Sequence, residues 1–371
     1  MKKKIWMMLL CSALVCLPLG GCGINRADAD TGSAQSEAAS DHKTTKNSNA
    51  EYTSEVFAMD TYMTLTAYGE NAKEAVEAGI AEIQRLDALL STGDANSEVA
   101  QINQNGGGTL SEDTDYLVKR ALAIYQSTQG AFDISIYPVM QLWGFTTGDF
   151  AVPSKEDLAA KLALVNAGRI SLTEDNGVSS ITLSEGMEID LGGIAKGYTS
   201  GRVMEVMKRY GIESAVINLG GNAHVLGSKS DGSAWKVGIQ DPNDTNGYLG
   251  GVSVRDKAII TSGGYERYFV DEATGVKYHH IIDPKTGYSA NNGLISVTIV
   301  SADSTLADGL STSLFVLGTE DAIAYCEEHC AEDGFDAIME DEDGKLYITD
   351  GIMDDFINMN NTTNIQKIKT K

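Results

Sequence analysis

The spacing of hydrophobic positions changes period several times along the chain, and each change marks an element. Residues 57–66 are rich in β-branched and aromatic side chains and predict a strand. Residues 72–90 repeat at helical spacing, with Ala75, Gly79, Ile83, Leu86 and Leu90 near one face. A loop with Gly93-Asp94 and Gly106-Gly107-Gly108 follows, then a second helix over 113–128. Residues 131–145 read as strand and turn, closed by Trp143-Gly144-Phe145, and 155–165 as a third helix. Residues 181–189 look like the second strand of a hairpin, and 194–210 are helical after a Gly-Gly turn. From 215 to 260 short strands alternate with Gly, Asp and Pro turns. A strand at 297–300 precedes helices at 304–317 and 321–330, and 337–348 closes as a hairpin turning at Asp343-Gly344. Strands cluster in runs and so do helices, which predicts an α+β fold rather than an alternating doubly wound one.

The amino terminus departs from this pattern. Lys2, Lys3 and Lys4 precede an almost wholly apolar stretch over 5–19, and Leu19-Gly20-Gly21-Cys22 follows. A basic start, a short apolar run and small residues before a cleavage point describe a secretory signal. The run is shorter than the about 20 residues a membrane span needs. Cys22 after Leu-Gly-Gly resembles the bacterial lipobox, in which that cysteine is acylated (palmitate-type chains) and becomes the mature amino terminus. Residues 23–49 are polar and lack aromatics, so they cannot bury enough surface to offset chain entropy. The expected organisation is a signal peptide over 1–21, a lipidated Cys22 with a flexible tether over 22–50, and one globular domain over 51–360. The expected location is extracytoplasmic, lipid-anchored to a bacterial membrane.

Composition narrows the chemistry. A formal net charge of −24 argues against binding a phosphate backbone, so no nucleic-acid partner is expected. Of five cysteines, Cys11 and Cys16 leave with the signal and Cys22 carries lipid. Cys326 and Cys330 remain, four apart on a predicted helix, which excludes a disulfide scaffold.

Five segments carry residue types suited to a site. Asp190-Leu191-Gly192-Gly193-Ile194-Ala195-Lys196-Gly197-Tyr198 runs from a strand end through a Gly-Gly turn into a helix, where free amides favour anions and Lys196 could meet phosphate. It is not G-x-G-x-x-G, so a dinucleotide-binding Rossmann fold is not indicated. His279-His280 precede Asp283-Pro284-Lys285-Thr286-Gly287, a turn signature, and His280 could act as acid or base near neutral pH. Asp308 and Thr312 are four apart and share a helical face; a carboxylate and a hydroxyl suit a hard cation such as Mg2+. Thr261-Ser262-Gly263-Gly264-Tyr265-Glu266-Arg267-Tyr268-Phe269 is a polar Gly turn entering an aromatic strand. Ala131-Phe132-Asp133 with Trp143-Gly144-Phe145 could hold a flat ring or simply form core.

Taken in order, these segments resemble the ApbE family, the FAD:protein FMN transferases, from about Val56 to Ile348. Met59-Asp60-Thr61, Asp87-Ala88-Leu89-Leu90-Ser91-Thr92, Asn96-Ser97-Glu98-Val99, Asn218-Leu219-Gly220-Gly221-Asn222 and Trp235-Lys236-Val237-Gly238-Ile239-Gln240-Asp241-Pro242 complete the set. The resemblance implies a T-fold-like α+β architecture, two β-sheets flanked by helices with FAD in a cleft between subdomains. It implies transfer of FMN from FAD to a Thr or Ser hydroxyl of a partner protein, with AMP released and Mg2+ stabilising the charge. By motif position, Asp308 and Thr312 would ligate the metal by side chain, and Gly193 and Ser311 through the main chain. FAD would be held by Met59, Ala131, Phe132, Asp133, Asp190, Lys196 and Ile282, with Lys196 toward the adenine end. His280 would take the acceptor's proton, with Asp308 as the alternative. Implied partners are acceptor flavoprotein subunits of membrane redox complexes (relatives of Rnf or the Na+-translocating quinone reductase) or flavin-bearing extracellular reductases. Two rival readings share these residues: hydrolysis of FAD to FMN and AMP, and flavin binding without chemistry.

Overall fold

The structure, a computed structural model, describes residues 50–360 and 362–371. The expected signal peptide, Cys22 and nearly all of the tether lie outside the described residues. In chain order the strands are β1 (Glu51–Ala58), β2 (Thr61–Tyr68), β3 (Gly107–Thr109), β4 (Ser171–Asp175), β5 (Val178–Thr182), β6 (Ser214–Leu219), β7 (Asn222–Gly227), β8 (Trp235–Gln240) and β9 (Tyr248–Val254). They continue as β10 (Ala258–Gly263), β11 (Tyr268–Val270), β12 (Lys277–His279), β13 (Leu294–Ser301), β14 (Phe335–Asp341), β15 (Leu346–Thr349), β16 (Phe356–Asn358) and β17 (Ile365–Ile368). The helices are α1 (Ala72–Leu90), α2 (Glu98–Asn105), α3 (Glu112–Ser127), α4 (Tyr137–Leu142), α5 (Lys155–Leu162), α6 (Gly192–Arg209), α7 (Ser304–Leu317) and α8 (Thr319–Asp333).

The class is mixed α+β, as expected, with the described strands spread over four sheets. One has nine strands in the order β1-β2-β6-β7-β10-β13-β14-β15-β17; the others are β16-β9-β8, β3-β5-β4 and β11-β12. Period-2 alternation gives the large sheet two apolar faces. One face packs against helices: Met63, Leu65 and Ala67 of β2 meet Ala75, Val76 and Ile83 of α1 and Val203 and Met207 of α6. Val297 and Ile299 of β13 meet Leu310 and Leu314 of α7. The other face packs against the β16-β9-β8 sheet through Val225, Trp235, Val237, Val252, Ile259 and Ile338. A separate small core joins Val139, Trp143, Phe145, Leu158 and Ile282.

Four expectations are corrected. The strand at 57–66 is two strands, because Met59 and Asp60 form the two-residue turn of a β1–β2 hairpin with φ of 48° and 60°. Such turns ordinarily use Asn-Gly, so a Met-Asp pair hides the break. The loop after Gly93 contains α2, whose start is capped by Ser97 Oγ accepting from the Ala100 amide at 3.0 Å and whose end is the left-handed Gly106. Where a strand was expected within 131–145, residues 134–142 are helical: Asp133 caps a short 3-10 turn and Pro138 sits in the first turn of α4. The strand expected over 181–189 ends at Thr182. The fold also runs past residue 360, since β17 pairs in parallel with β15.

α6 and α7 cross more closely than side chains normally allow. A Cβ on Gly197 would lie 2.2 Å from the Ser304 carbonyl oxygen and 2.5 Å from Asp308 Cβ. Gly197→Ala therefore forces backbone apart rather than a rotamer aside. We expect it to cost about 2–3 kcal/mol, read as a lower urea midpoint; a loss below about 0.5 kcal/mol, the range of a surface substitution, would contradict the close crossing.

Candidate active site

One end of the nine-stranded sheet gathers the polar segments. There β2 begins after the Met59-Asp60 turn, β6 and β7 join through Gly220-Gly221, and β10 ends at Gly263. The two hairpin turns touch: a Cβ on Gly220 (φ 63°) would lie 2.4 Å from Thr61 Oγ1. Glycine at 220 thus answers both a left-handed backbone and a neighbour with no room to spare. At Met59 no glycine relieves the backbone. Its amide donates to the Asp87 carboxylate, and Thr199 Oγ1 lies 3.8 Å from its sulfur. Left-handed non-glycine residues concentrate where a site needs them.

α6 enters this end amino terminus first, and the middle of α7 crosses it. Asp308 is 5% exposed. Its Oδ2 accepts from the Gly197 amide at 2.7 Å and its Oδ1 from Asn222 Nδ2 at 3.0 Å. An uninterrupted helix would give the Gly197 amide to the Gly193 carbonyl, so its use by Asp308 weakens the claim on that carbonyl. Burial pushes the Asp308 carboxyl above its ordinary value, tempered first by the charge of Lys196. Around Asp308, Ser262 Oγ lies 2.9 Å from Ser311 Oγ and 3.3 Å from Thr312 Oγ1. Ser311 Oγ also donates to the Asp308 carbonyl at 2.9 Å, so its hydroxyl is engaged within the fold.

This donor set fits a hard cation. Asp308 has neutral hydrogen-bond donors in the Gly197 and Lys196 amides and the Asn222 side chain, with no direct ion pair among the described residues. Among the described residues no three acidic, histidine or cysteine side chains converge to cage a metal. A cation here would rest on one carboxylate, hydroxyl and main-chain oxygens, and fill its sphere from phosphate or water, the usual habit of Mg2+.

The second half of the site is the β10–β13 connection. Glu266 and His280 are reached by water yet have protein on nearly all sides, as on the wall of a cleft. Burial lifts the Glu266 carboxyl to about 7, with Lys196 opposing and Asp308 reinforcing the rise. His280 is lowered to about 3, first by burial and then by the charges of Arg267 and Lys196. Its Nδ1 lies 3.2 Å from the Arg267 carbonyl, which can only accept. The proton therefore sits on Nδ1 and leaves a lone pair on Nε2. His279 is committed to the fold instead. Its Nε2 donates to the Ala290 carbonyl at 2.9 Å and its ring packs edge-on against Phe315.

The remaining candidates divide by where their side chains point. Phe132 packs over Gly193, where a Cβ would sit 3.0 Å from its ring. Asp190 accepts from the Gly192 amide at 2.7 Å, is pushed up by burial, and feels Arg267 and Lys196. Asp133 points inward: Oδ1 accepts from the Ser135 amide and hydroxyl, and Oδ2 from the Ala167 amide at 3.1 Å. Ile282 is buried in the small aromatic core. Ligand contacts from Asp133 and Ile282 would run through the main chain. The Trp143-Gly144-Phe145 segment is core, with Trp143 Nε1 donating to the Gly287 carbonyl at 2.8 Å. A cavity of about 570 Å3 opens beside Ala131, between the Asp283–Lys285 turn and the α7–α8 junction, and Asp308 does not line it.

Four residues that sequence reasoning did not assign join the site: Asn222, Ser262, Glu266 and Arg267. All lie in segments already singled out, but their roles depend on pairings across β7, β10 and α7 that no local pattern reveals.

A family profile described as the ApbE family matches residues 59–339. The chain is 38% identical over 247 residues to a FAD:protein FMN transferase of Klebsiella pneumoniae, covering 65% of this chain and 75% of that protein. It is 32% identical over 324 residues to the FAD:protein FMN transferase of Treponema pallidum, covering 82% and 88%. Among solved structures, the ApbE protein of Thermotoga maritima superposes with a TM-score of 0.75 at 32% identity, covering 81% of this chain and 98% of that one. The flavin transferase ApbE of Vibrio cholerae superposes with a TM-score of 0.70 at 29% identity, covering 81% and 97%.

The surroundings of His280 make a prediction about protonation. A lowered histidine pKa means that folding favours the neutral ring, so this contribution to stability is complete above pH 6.5 and is lost as pH falls toward 3. By NMR of labelled histidine, His280 should show no titration between pH 5 and 8 and the shifts of an Nδ1-protonated neutral ring. A midpoint near 6.5 would contradict the burial described.

Proposed function

Because this chain belongs to the ApbE family, whose curated relatives are FAD:protein FMN transferases, we propose that it moves FMN from FAD onto a Thr or Ser hydroxyl of a partner protein and releases AMP. The observation that carries this reading is the buried Asp308 carboxylate at the first turns of α6, one helical turn from Thr312. A non-catalytic flavin binder has no need to keep an unpaired buried anion there.

In this reading the pyrophosphate of FAD lies across the start of α6, where amides favour anions. Lys196 and Arg267 offset its charge. Asp308 and Thr312 would hold Mg2+ by side chain, and Gly193 and Ser311 through main-chain oxygens. When bound, the cation would offset charge developing on the phosphates. His280 Nε2 faces the acceptor hydroxyl and takes its proton as the hydroxyl oxygen attacks the phosphorus of the FMN half. The bond from that phosphorus to the bridging oxygen breaks, and AMP departs with the bridging oxygen. The imidazole is a weak base partly because Arg267 and Lys196 face it. Pairing those cations with phosphate removes that part of the depression and raises its basicity when substrate is bound. The flavin would contact Met59, Ala131, Phe132 and Asp190, with main-chain contacts at Asp133 and Ile282.

We also propose that Cys22 is acylated and that the polar tether holds the domain outside the cell membrane, within reach of membrane redox subunits. The leader pattern supports this.

One experiment tests both. Purified wild type with FAD, Mg2+ and a redox-subunit domain bearing a candidate Thr should leave a fluorescent flavin band on the acceptor after denaturation. EDTA should abolish it, and Asp308→Ala should slow it by roughly a thousandfold. In cells expressing the full chain, the activity should pellet with membranes and become soluble in Cys22→Ala. FMN and AMP release with no band on any acceptor tried would make the enzyme a FAD pyrophosphatase; unreacted bound FAD would make it a binder.

A further inference from the structure

The most exposed apolar side chains among the described residues fall largely on two hairpins. Among the described residues, six large hydrophobic side chains are 45% or more exposed: Phe57, Tyr62, Val178, Tyr268, Val270 and Val276. All but Val178 sit on two hairpins, β1–β2 and β11–β12, and both hairpins are rooted in the site. Single exposed hydrophobics are ordinary, but a concentration of them marks an interaction surface.

The β1–β2 hairpin turns at the strained Met59-Asp60 pair, whose Asp60 charge is felt at Asp190. Phe57 and Tyr62 are directly paired across it, rings 5.0 Å apart and edge-on, on the face opposite Met63 and Leu65. They are 56% and 54% exposed although they stack on each other. The β11–β12 hairpin leaves the site at Arg267 and returns at His280, whose amide donates to the Arg267 carbonyl at 3.1 Å. Its alternate residues Phe269 and Tyr278 pack into the small aromatic core, which fixes the hairpin rigidly. Tyr268 and Val270 face the other way, with Lys277 Nζ 4.0 Å above the Tyr268 ring.

We infer that these two hairpins are the docking surface for the acceptor protein. The inference rests on the transferase reading, which requires a polypeptide hydroxyl to reach His280, and it specifies how the polypeptide is held. The occupant is a segment with apolar side chains beside its Thr or Ser. Glu55, on the same face as Phe57, and Asp271 and Glu272 beyond Val270 outnumber Lys277 beside Tyr268, so the surface is acidic on balance and the segment carries basic residues outside its apolar ones. Rigid aromatic anchors ringed by charge are the usual makings of an interface hot spot.

The test compares wild type, Phe57→Ala/Tyr62→Ala and Tyr268→Ala/Val270→Ala. Acceptor binding is measured directly by calorimetry, flavin transfer by gel fluorescence, and FAD binding by flavin quenching. The expected result is a loss of acceptor affinity of at least about tenfold in each double variant, a matching rise in acceptor KM, kcat within about twofold at saturating acceptor, and unchanged FAD affinity. Equal acceptor affinity in all three proteins overturns the inference. So does a parallel fall in FAD affinity, which would make the aromatics part of the flavin pocket. Loss of binding to phosphatidylglycerol vesicles with acceptor affinity intact overturns it too, in favour of a membrane surface. Wild type that binds the acceptor but leaves no flavin on it defeats the transferase reading while the affinity comparison still decides the docking surface.

Discussion

The site depends on one carboxylate being held inside the protein by neutral donors, its charge tempered by Lys196 but in no direct ion pair among the described residues. Asp308 takes the Gly197 amide and the Asn222 side-chain amide. Hydrogen bonds to a charged group contribute about 1.5–3 kcal/mol each, which offsets only part of the cost of removing a carboxylate from water, and the carboxyl stays above its ordinary range. That residual cost is tolerable because α6 and α7 are locked at close range through Gly197 and buried on a continuous core. On the same helix Thr312, one turn from Asp308, meets Ser262 of β10, so a packing constraint and the candidate site share one set of residues.

An acidic protein that handles an anionic substrate needs its positive charge placed locally. With a net charge of −24, the chain as a whole would repel a dinucleotide. Salt screens distant charges beyond about 8 Å at physiological ionic strength, leaving the cleft to be governed by its own groups. Lys196 bears on Asp190, Glu266, His280 and Asp308, and Arg267 on Asp190 and His280. Two cations thus temper or reinforce the effect of burial at four titratable groups.

Much of this was legible in the sequence, and the limits follow from range. Helices with a full apolar face were readable to the residue, as at α1 and α7, because period and burial coincide. The break at Met59-Asp60 was not, because it uses a left-handed backbone without glycine and is stabilised by Asp87, 28 residues away. α2 was hidden by its glycine-rich flank, although Ser97 and Gly106 cap it at both ends. The Asp308–Thr312 pair was visible as a helical face, whereas Asn222 and Ser262 join it only through pairing across the sheet. Asp133 reads as a ligand contact by its place in a motif, yet its side chain holds two short turns together.

Asp308 and Thr312, in the function proposed above, form a cation site completed by the substrate. Crystals grown with FAD and Mn2+ and measured at the manganese absorption edge address it directly. One strong anomalous peak is expected, bonded to the Asp308 carboxylate and the Thr312 hydroxyl, with phosphate oxygens completing its sphere. FAD seated in the cleft with no peak there, or with manganese bound elsewhere and absent from Asp308, would contradict it.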